Sequence, residues 1–135
     1  TTINFIKGPG CGGKSTFTNF MAKTFGDYSG ILDSRCIEET TFNAGMGGPT
    51  PELLNNKDKR YLLISEANSK SKSFFDPNLL KKITGGDELI ARNLYSNDLQ
   101  RFTVYAQVHI TLNNIIKLNN NDYGTLRRIK TNWTW

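Results

Sequence analysis

The stretch Gly8-Pro9-Gly10-Cys11-Gly12-Gly13-Lys14-Ser15 fits the pattern G-x-x-x-x-G-K-[ST] without a mismatch. Glycines let a backbone wrap closely around an anion, so that its N–H groups and the start of the following helix meet phosphate oxygens. In such a loop Lys14 reaches the β- and γ-phosphates and the Ser15 hydroxyl coordinates Mg²⁺. The expected cofactors are therefore ATP and Mg²⁺, with Gly8, Pro9, Gly10, Cys11, Gly12, Gly13, Lys14, Ser15 and Thr16 forming the binding loop. The competing reading is a glycine-rich turn that matches by accident.

A phosphoryl-transfer site of this kind needs an acid at the end of a neighbouring strand, to hold the metal and orient the attacking water. Glu66, after Leu62-Leu63-Ile64-Ser65, is the expected acid. Ser65 stands where a second acid often does, so Glu66 carries the catalytic role alone, and the metal rests mainly on Ser15 and phosphate oxygens. The competing reading is a surface glutamate just past a strand. Asn113 ends the next apolar run, where it could hydrogen-bond the γ-phosphate or the attacking water. Arg127 and Arg128 follow a glycine beyond that run. An arginine supplied by a neighbouring subunit neutralises charge on the transferring phosphoryl group, an effect of roughly 10³–10⁵ in rate. The pair also reads as a basic surface loop or a contact to nucleic acid. His109, inside an apolar run, is expected to be packed and hydrogen-bonded, and Trp133 and Trp135 are assigned no role.

These residues need elements to position them. Thr2 to Lys7 is a short apolar strand that runs into the glycines, and Ser15 to Phe25 is a helix with Phe17, Phe20, Met21 and Thr24 at helical spacing and Gly26 as its stop. Residues 27–48 read as a polar, mobile connection with a short strand near Ile31-Leu32. Thr50 and Pro51 open a short helix. Arg60 to Glu66 is a uniformly apolar strand of the kind found in the middle of parallel sheets. Asp76-Pro77 caps a helix over Asn78 to Ile83, closed by Thr84-Gly85-Gly86. Glu88 to Tyr95 and Arg101 to Val104 flank a polar tip as a hairpin, and Gln107 to Leu112 is another buried strand.

The chain has 135 residues, enough for one domain, with no internal repeat and no domain boundary. It opens on Thr-Thr-Ile-Asn with no initiating Met, which suggests an excerpt of a longer chain. No apolar run approaches the roughly 20 residues of a membrane helix, so no membrane partner is expected. Cys11 and Cys36 form neither a metal spacing nor a disulfide framework, which points to an intracellular, reducing compartment. A formal charge of +5 suits a polyanionic partner, though by a modest margin.

The order Gly8–Ser15, Leu62–Glu66, Lys81-Lys82-Ile83-Thr84-Gly85-Gly86-Asp87 with Arg92, then Thr111-Leu112-Asn113-Asn114 resembles the A, B, B′ and C motifs of superfamily 3 helicases. These are compact AAA+-type hexameric motors of DNA viruses and plasmids. The likeness is greatest to the poxvirus-type primase–helicase of large DNA viruses and its phage and plasmid relatives, and it covers roughly Ile3 to Ile129. The single acid in the B motif departs from the usual pair, and no primase portion is present in this stretch.

The resemblance implies a three-layer α/β P-loop domain with a central, mostly parallel sheet and an inserted β-hairpin. It implies an ATPase and DNA helicase that moves on single-stranded DNA as a homo-oligomeric, hexameric ring, with a fused primase domain conceivable outside this stretch. If viral, the protein would work in the host cytoplasm or at a viral replication site. The hairpin Arg92 to Phe102 would grip the strand, with Arg101 and either Lys82 or Arg92 near phosphate. The arginine finger would be Arg127 or Arg128. Two other readings stand beside this one: a P-loop module that binds nucleotide for assembly without hydrolysis, and a nucleotide or small-molecule kinase.

Overall fold

The computed structural model describes residues 2–37, 51–65, 75–112 and 123–134. Among these described residues there are seven strands: β1 (Ile3–Lys7), β2 (Ser29–Ile31), β3 (Tyr61–Ile64), β4 (Glu88–Ala91), β5 (Gln100–Thr103), β6 (Gln107–Leu112) and β7 (Ile129–Thr134). The helices are α1 (Lys14–Phe25), α2 (Pro51–Asn55), α3 (Pro77–Gly85) and α4 (Tyr123–Leu126). Five strands form one sheet in the order β2-β3-β6-β1-β7, and every pairing in it is parallel. Strands β4 and β5 pair antiparallel as the separate hairpin. The α/β class, the mostly parallel sheet and the hairpin are those expected from the sequence.

Alternation along the strands divides the sheet into two unlike faces. Ile3 and Phe5, Leu62 and Ile64, and Val108, Ile110 and Leu112 point to one side. There they join Leu53, Phe75, Leu80, Ile83 and Leu89 in the main core, where Phe5 stacks on Phe75 with centroids 5.9 Å apart. The other face carries Asn4, Tyr61, His109 and Thr111 and is covered by α1. Phe25 stacks on Tyr61 at 5.2 Å, and Tyr61 on His109 at 4.7 Å. The half-buried His109 has its pKa pushed below the ordinary imidazole value by desolvation. Below that ordinary value the unfolded chain binds the proton more readily than the folded one, so stability is lost as pH falls through it. Denaturant midpoints should therefore depend less on pH across this range in His109→Gln than in the parent.

Local chemistry accounts for the helix ends. The Asp76 carboxylate accepts from the N–H groups of Asn78 (2.8 Å) and Leu79 (3.3 Å), Pro77 opens α3, and Gly86 closes it at φ +78°. In α1 the helical period was legible but its phase differs from expectation. Lys14 and Thr18 are the buried residues, whereas Phe17 and Phe20 are exposed. The loop that precedes the helix turns Lys14 inward, and the rest of the inward stripe follows from it.

The strands agree with expectation in one place and depart from it in two. The short strand expected near Ile31-Leu32 is β2, and the segment around it adds two 3₁₀ turns, Gly26–Tyr28 and Ser34–Cys36. β7 was not anticipated at all. The first hairpin strand stops at Ala91 rather than Tyr95, and the second begins one residue early at Gln100, which leaves residues 92–99 as the tip. The proposed N-cap Thr50 and the glycine-rich run before it lie outside the described residues.

Gly30 illustrates a constraint of packing rather than of backbone angle. A Cβ there would overlap the side-chain amide oxygen of buried Asn56. The Asn56 amide nitrogen is fixed in turn by the carbonyls of Ile31 (3.2 Å) and Glu52 (2.8 Å). Gly30→Ala should therefore cost about 1–3 kcal/mol as an overpacking substitution, read as a lower urea midpoint with an unchanged slope.

Candidate phosphate-binding site

β1 ends at Lys7, and the glycine loop begins at once, at the carboxyl edge of the sheet. The connection after β1 runs through α1 toward β2, whereas the one after the neighbouring β6 leads to β7 on the opposite side of β1. Ligands of open α/β sheets bind at such a reversal. The loop is anchored at both ends: the Gly8 N–H donates to the Leu112 carbonyl (3.3 Å), and the Phe17 N–H to the Gly13 carbonyl (3.0 Å).

Between the anchors the backbone takes left-handed angles at Cys11 (φ +62°) and Gly13 (φ +76°). Gly13 meets this without strain, whereas at Cys11 a side chain occupies a region that only glycine adopts freely. Successive turns of this kind direct N–H groups into a concavity. Here the concavity is a cavity of 310 Å³ lined by Gly10 to Thr16 and Thr111. No side chain caps the start of α1 and no acid lies in its first turn, so the positive end of the helix dipole faces the cavity uncompensated.

Lys14 is buried, and its ammonium donates to the carbonyls of Gly8 (2.7 Å) and Pro9 (2.6 Å). The charge is thus held inside the loop at its base. Ser15 and Thr16 are exposed on the rim, and the Ser15 carbonyl accepts from the buried Thr18 hydroxyl (3.2 Å). These residues suit a polyphosphate and a divalent cation: amide donors, one ammonium, the rim hydroxyls of Ser15 and Thr16, and no carboxylate in the cavity lining. Among the described residues no cluster of three His, Cys, Asp or Glu side chains could hold a metal by itself.

One expectation about neighbours needs correcting. β3, which leads to Glu66, is not adjacent to β1; β6 lies between them. β1 uses its two ladders for β6 and β7, so the acid-bearing strand is one place removed. All three strands still end on the same edge, because Ile64 is level with Ile110 and Lys7 with Leu112. Glu66 and Asn113 themselves lie outside the described residues. Thr111, the first residue of the C-like motif and assigned no role from sequence, is buried, lines the cavity, and donates to the Ile64 carbonyl at 3.5 Å.

Arg127 and Arg128 are elsewhere. They precede β7, and the Ile3 N–H donates to the Arg128 carbonyl (2.8 Å), so both sit at the amino edge of the sheet. Five strand residues separate that edge from the loop, roughly 16 Å at about 3.3 Å each. The Arg128 guanidinium donates to the Gly124 carbonyl (2.7 Å), whereas Arg127 is exposed. On the hairpin, Arg92 donates to the Ser96 carbonyl at the tip (3.1 Å) and Arg101 pairs with Glu88 across the strands (3.2 Å). Lys82 is exposed on α3.

The two cysteines differ in chemistry. Burial, and then the Glu52 carboxylate that accepts from its thiol at 2.8 Å, push Cys36 up to about 12, so it stays protonated near neutral pH. Cys11 is exposed on the loop. Iodoacetamide near neutral pH should label Cys11 and spare Cys36 in peptide mass maps, and saturating MgATP should protect Cys11. Equal labelling of both would contradict the Cys36 environment described here.

No family model matches the chain. Over 125 residues it is 28% identical to a protein of Acanthamoeba polyphaga mimivirus named "Putative helicase L207/L206". That alignment takes in 93% of this chain but 12% of the viral protein, so the chain spans about an eighth of its relative. In structure it is similar to the apo A form of the C-terminal region of NrS-1, with a TM-score of 0.60 and 17% identity. The overlap covers 96% of this chain and 28% of that one, a likeness of fold.

Proposed function

We propose that this chain is the ATP-hydrolysing motor domain of a DNA helicase of the superfamily 3 kind, acting on single-stranded DNA as a ring of copies. One observation carries the reading: an intact G-x-x-x-x-G-K-S loop opens a cavity of 310 Å³ at the carboxyl edge of a parallel sheet, with the bare start of α1 behind it. Similarity to a viral protein with a helicase name supports the helicase part of the reading.

In this mechanism the loop amides and Lys14 hold the triphosphate and orient its terminal phosphoryl group. Ser15, with Glu66 and phosphate oxygens, would hold Mg²⁺, which neutralises charge on the β- and γ-oxygens. Glu66 takes a proton from the attacking water, and Asn113 and Thr111 fix the water's position from the end of β6. Arg127 and Arg128 are too far from their own loop to serve it, so the arginine reaches the loop of a neighbouring copy. Arg127, exposed beside the tethered Arg128, is the better placed of the two. Lys82, Arg92 and Arg101 supply phosphate contacts at the hairpin.

The test is ATP turnover with and without oligothymidylate, in a chain long enough to assemble. Turnover should rise with DNA and vanish in Lys14→Ala and Glu66→Gln. Nucleotide binding without turnover would replace this reading with an assembly module. Phosphate appearing on a small acceptor would overturn both.

A further inference from the structure

Parallel strands begin side by side, so the residues just before them form a row along the amino edge of the sheet. Tyr28 precedes β2, Arg60 precedes β3, and Tyr105-Ala106 precede β6. Backbone bonds fix the row: the Arg60 N–H donates to the Tyr28 carbonyl (2.8 Å) and the Gln107 N–H to the Arg60 carbonyl (2.8 Å). With strands about 4.8 Å apart, Tyr28, Arg60 and Ala106 stand level across roughly 10 Å, and Tyr105 is the next residue out from Ala106.

Both tyrosines are largely bare, 62% exposed at Tyr28 and 66% at Tyr105. Arg60 is exposed as well, and its guanidinium lies 5.7 Å from the centroid of the Tyr105 ring. Lys57 and Lys59 stand just before Arg60, with the Lys59 ammonium on the Asp27 carbonyl (2.7 Å). The acids along this stretch are Asp27 and Asp58, so cations lead by three to two. Farther along the same edge come Arg127, Arg128 and Lys130 before and within β7.

We infer that this edge is a second binding surface for single-stranded nucleic acid, separate from the hairpin, with Tyr28 and Tyr105 as stacking platforms and Arg60 between them on the backbone phosphate. An unpaired base offers a flat π-face to a tyrosine regardless of its identity, and a guanidinium both stacks and pairs with phosphate. Two exposed aromatic residues on one sheet edge, with a cation before the strand between them, match that repeating chemistry. A protein partner would bury the rings without needing the charge, and its affinity would depend little on salt. The inference does not rest on ATP hydrolysis.

The test uses fluorescein-labelled oligothymidylate and anisotropy on the full chain, with and without MgATP. Tyr105→Ala and Tyr28→Ala should each weaken binding about tenfold, and Tyr105→Phe should retain it. Arg60→Ala should lower the slope of log affinity against log salt by about one. Photocrosslinking with iodouracil-substituted oligonucleotide should place adducts on Tyr28 or Tyr105. Unchanged affinity in all three alanine variants, with adducts confined to the hairpin, would overturn the second surface and leave the helicase reading intact. No oligonucleotide binding by the parent, alongside normal ATP turnover, would overturn the surface and the nucleic-acid part of the proposed function together. Loss of self-association in the tyrosine variants, with binding unchanged, would reassign the edge to a protein contact.

Discussion

Lys14→Ala should abolish ATP hydrolysis, lowering kcat by at least about 10²–10³, the scale at which a preorganised donor to developing transition-state charge acts. The geometry gives this substitution two separable effects. The ammonium is the cation seated in the loop, and it also satisfies the carbonyls of Gly8 and Pro9. Alanine removes the charge from the phosphate path and leaves those carbonyls to find water, at a cost of about 1–3 kcal/mol for groups kept from solvent. A small drop in the denaturation midpoint should therefore accompany the loss of activity. Lys14→Arg divides the two. A guanidinium can still donate to the carbonyls, but its planar fork does not reproduce a compact ammonium at the base of the loop. It should recover most of the stability and little of the turnover. Stability and activity recovered together would mean that Lys14 acts only as a brace.

The second large effect belongs to the arginines. Arg127→Ala should leave nucleotide affinity near that of the parent while reducing turnover by roughly 10³–10⁵, the range for an arginine that meets only the transition state. Arg128→Ala should act mainly on stability, because its guanidinium is tied to the Gly124 carbonyl within α4. Arginines at the amino edge and loop at the carboxyl edge give a complementation test. Mixing Arg127→Ala with Glu66→Gln chains should restore part of the turnover, since some interfaces then combine an intact loop with an intact arginine. Equal inactivity of the mixture and its components would remove the shared site. Rescue with Arg128→Ala in place of Arg127→Ala would reverse the assignment of the pair.

Much of the fold was legible because its signals are local. The glycine loop, the apolar runs of β3 and β6, and Asp76-Pro77 at the head of α3 each declare themselves within a few residues. What escaped was set by distance. No local pattern says that β6 lies between β1 and β3, because lateral order in a parallel sheet is decided by the crossovers. Gly30 looks like any loop glycine until Asn56, folded in from α2, occupies the space its side chain would need. The inward stripe of α1 was misphased because phenylalanine outranks lysine on any hydrophobic scale, yet the loop turns Lys14 inward. β7 carries Ile129, Thr131 and Trp133 at alternate positions, a period that polar neighbours obscured. Of the candidate site, the loop was readable in full. Thr111 was not, since a threonine within an apolar strand has no signature until the cavity beside it is seen.

The place of β1 in the sheet bears on how the protein is made. The strand that carries the phosphate loop is synthesised before its ladder partners, β6 and β7, which lie more than a hundred residues downstream. Contacts so distant in sequence form slowly and late. During synthesis β1 therefore waits as an unpaired apolar strand while β2 and β3 emerge. Removing the chain from Ile129 onward would turn it from an interior strand into an edge. Nucleotide-binding competence should be acquired only once β6 and β7 have paired with β1, and truncations that remove β7 should aggregate before they lose any residue of the loop itself.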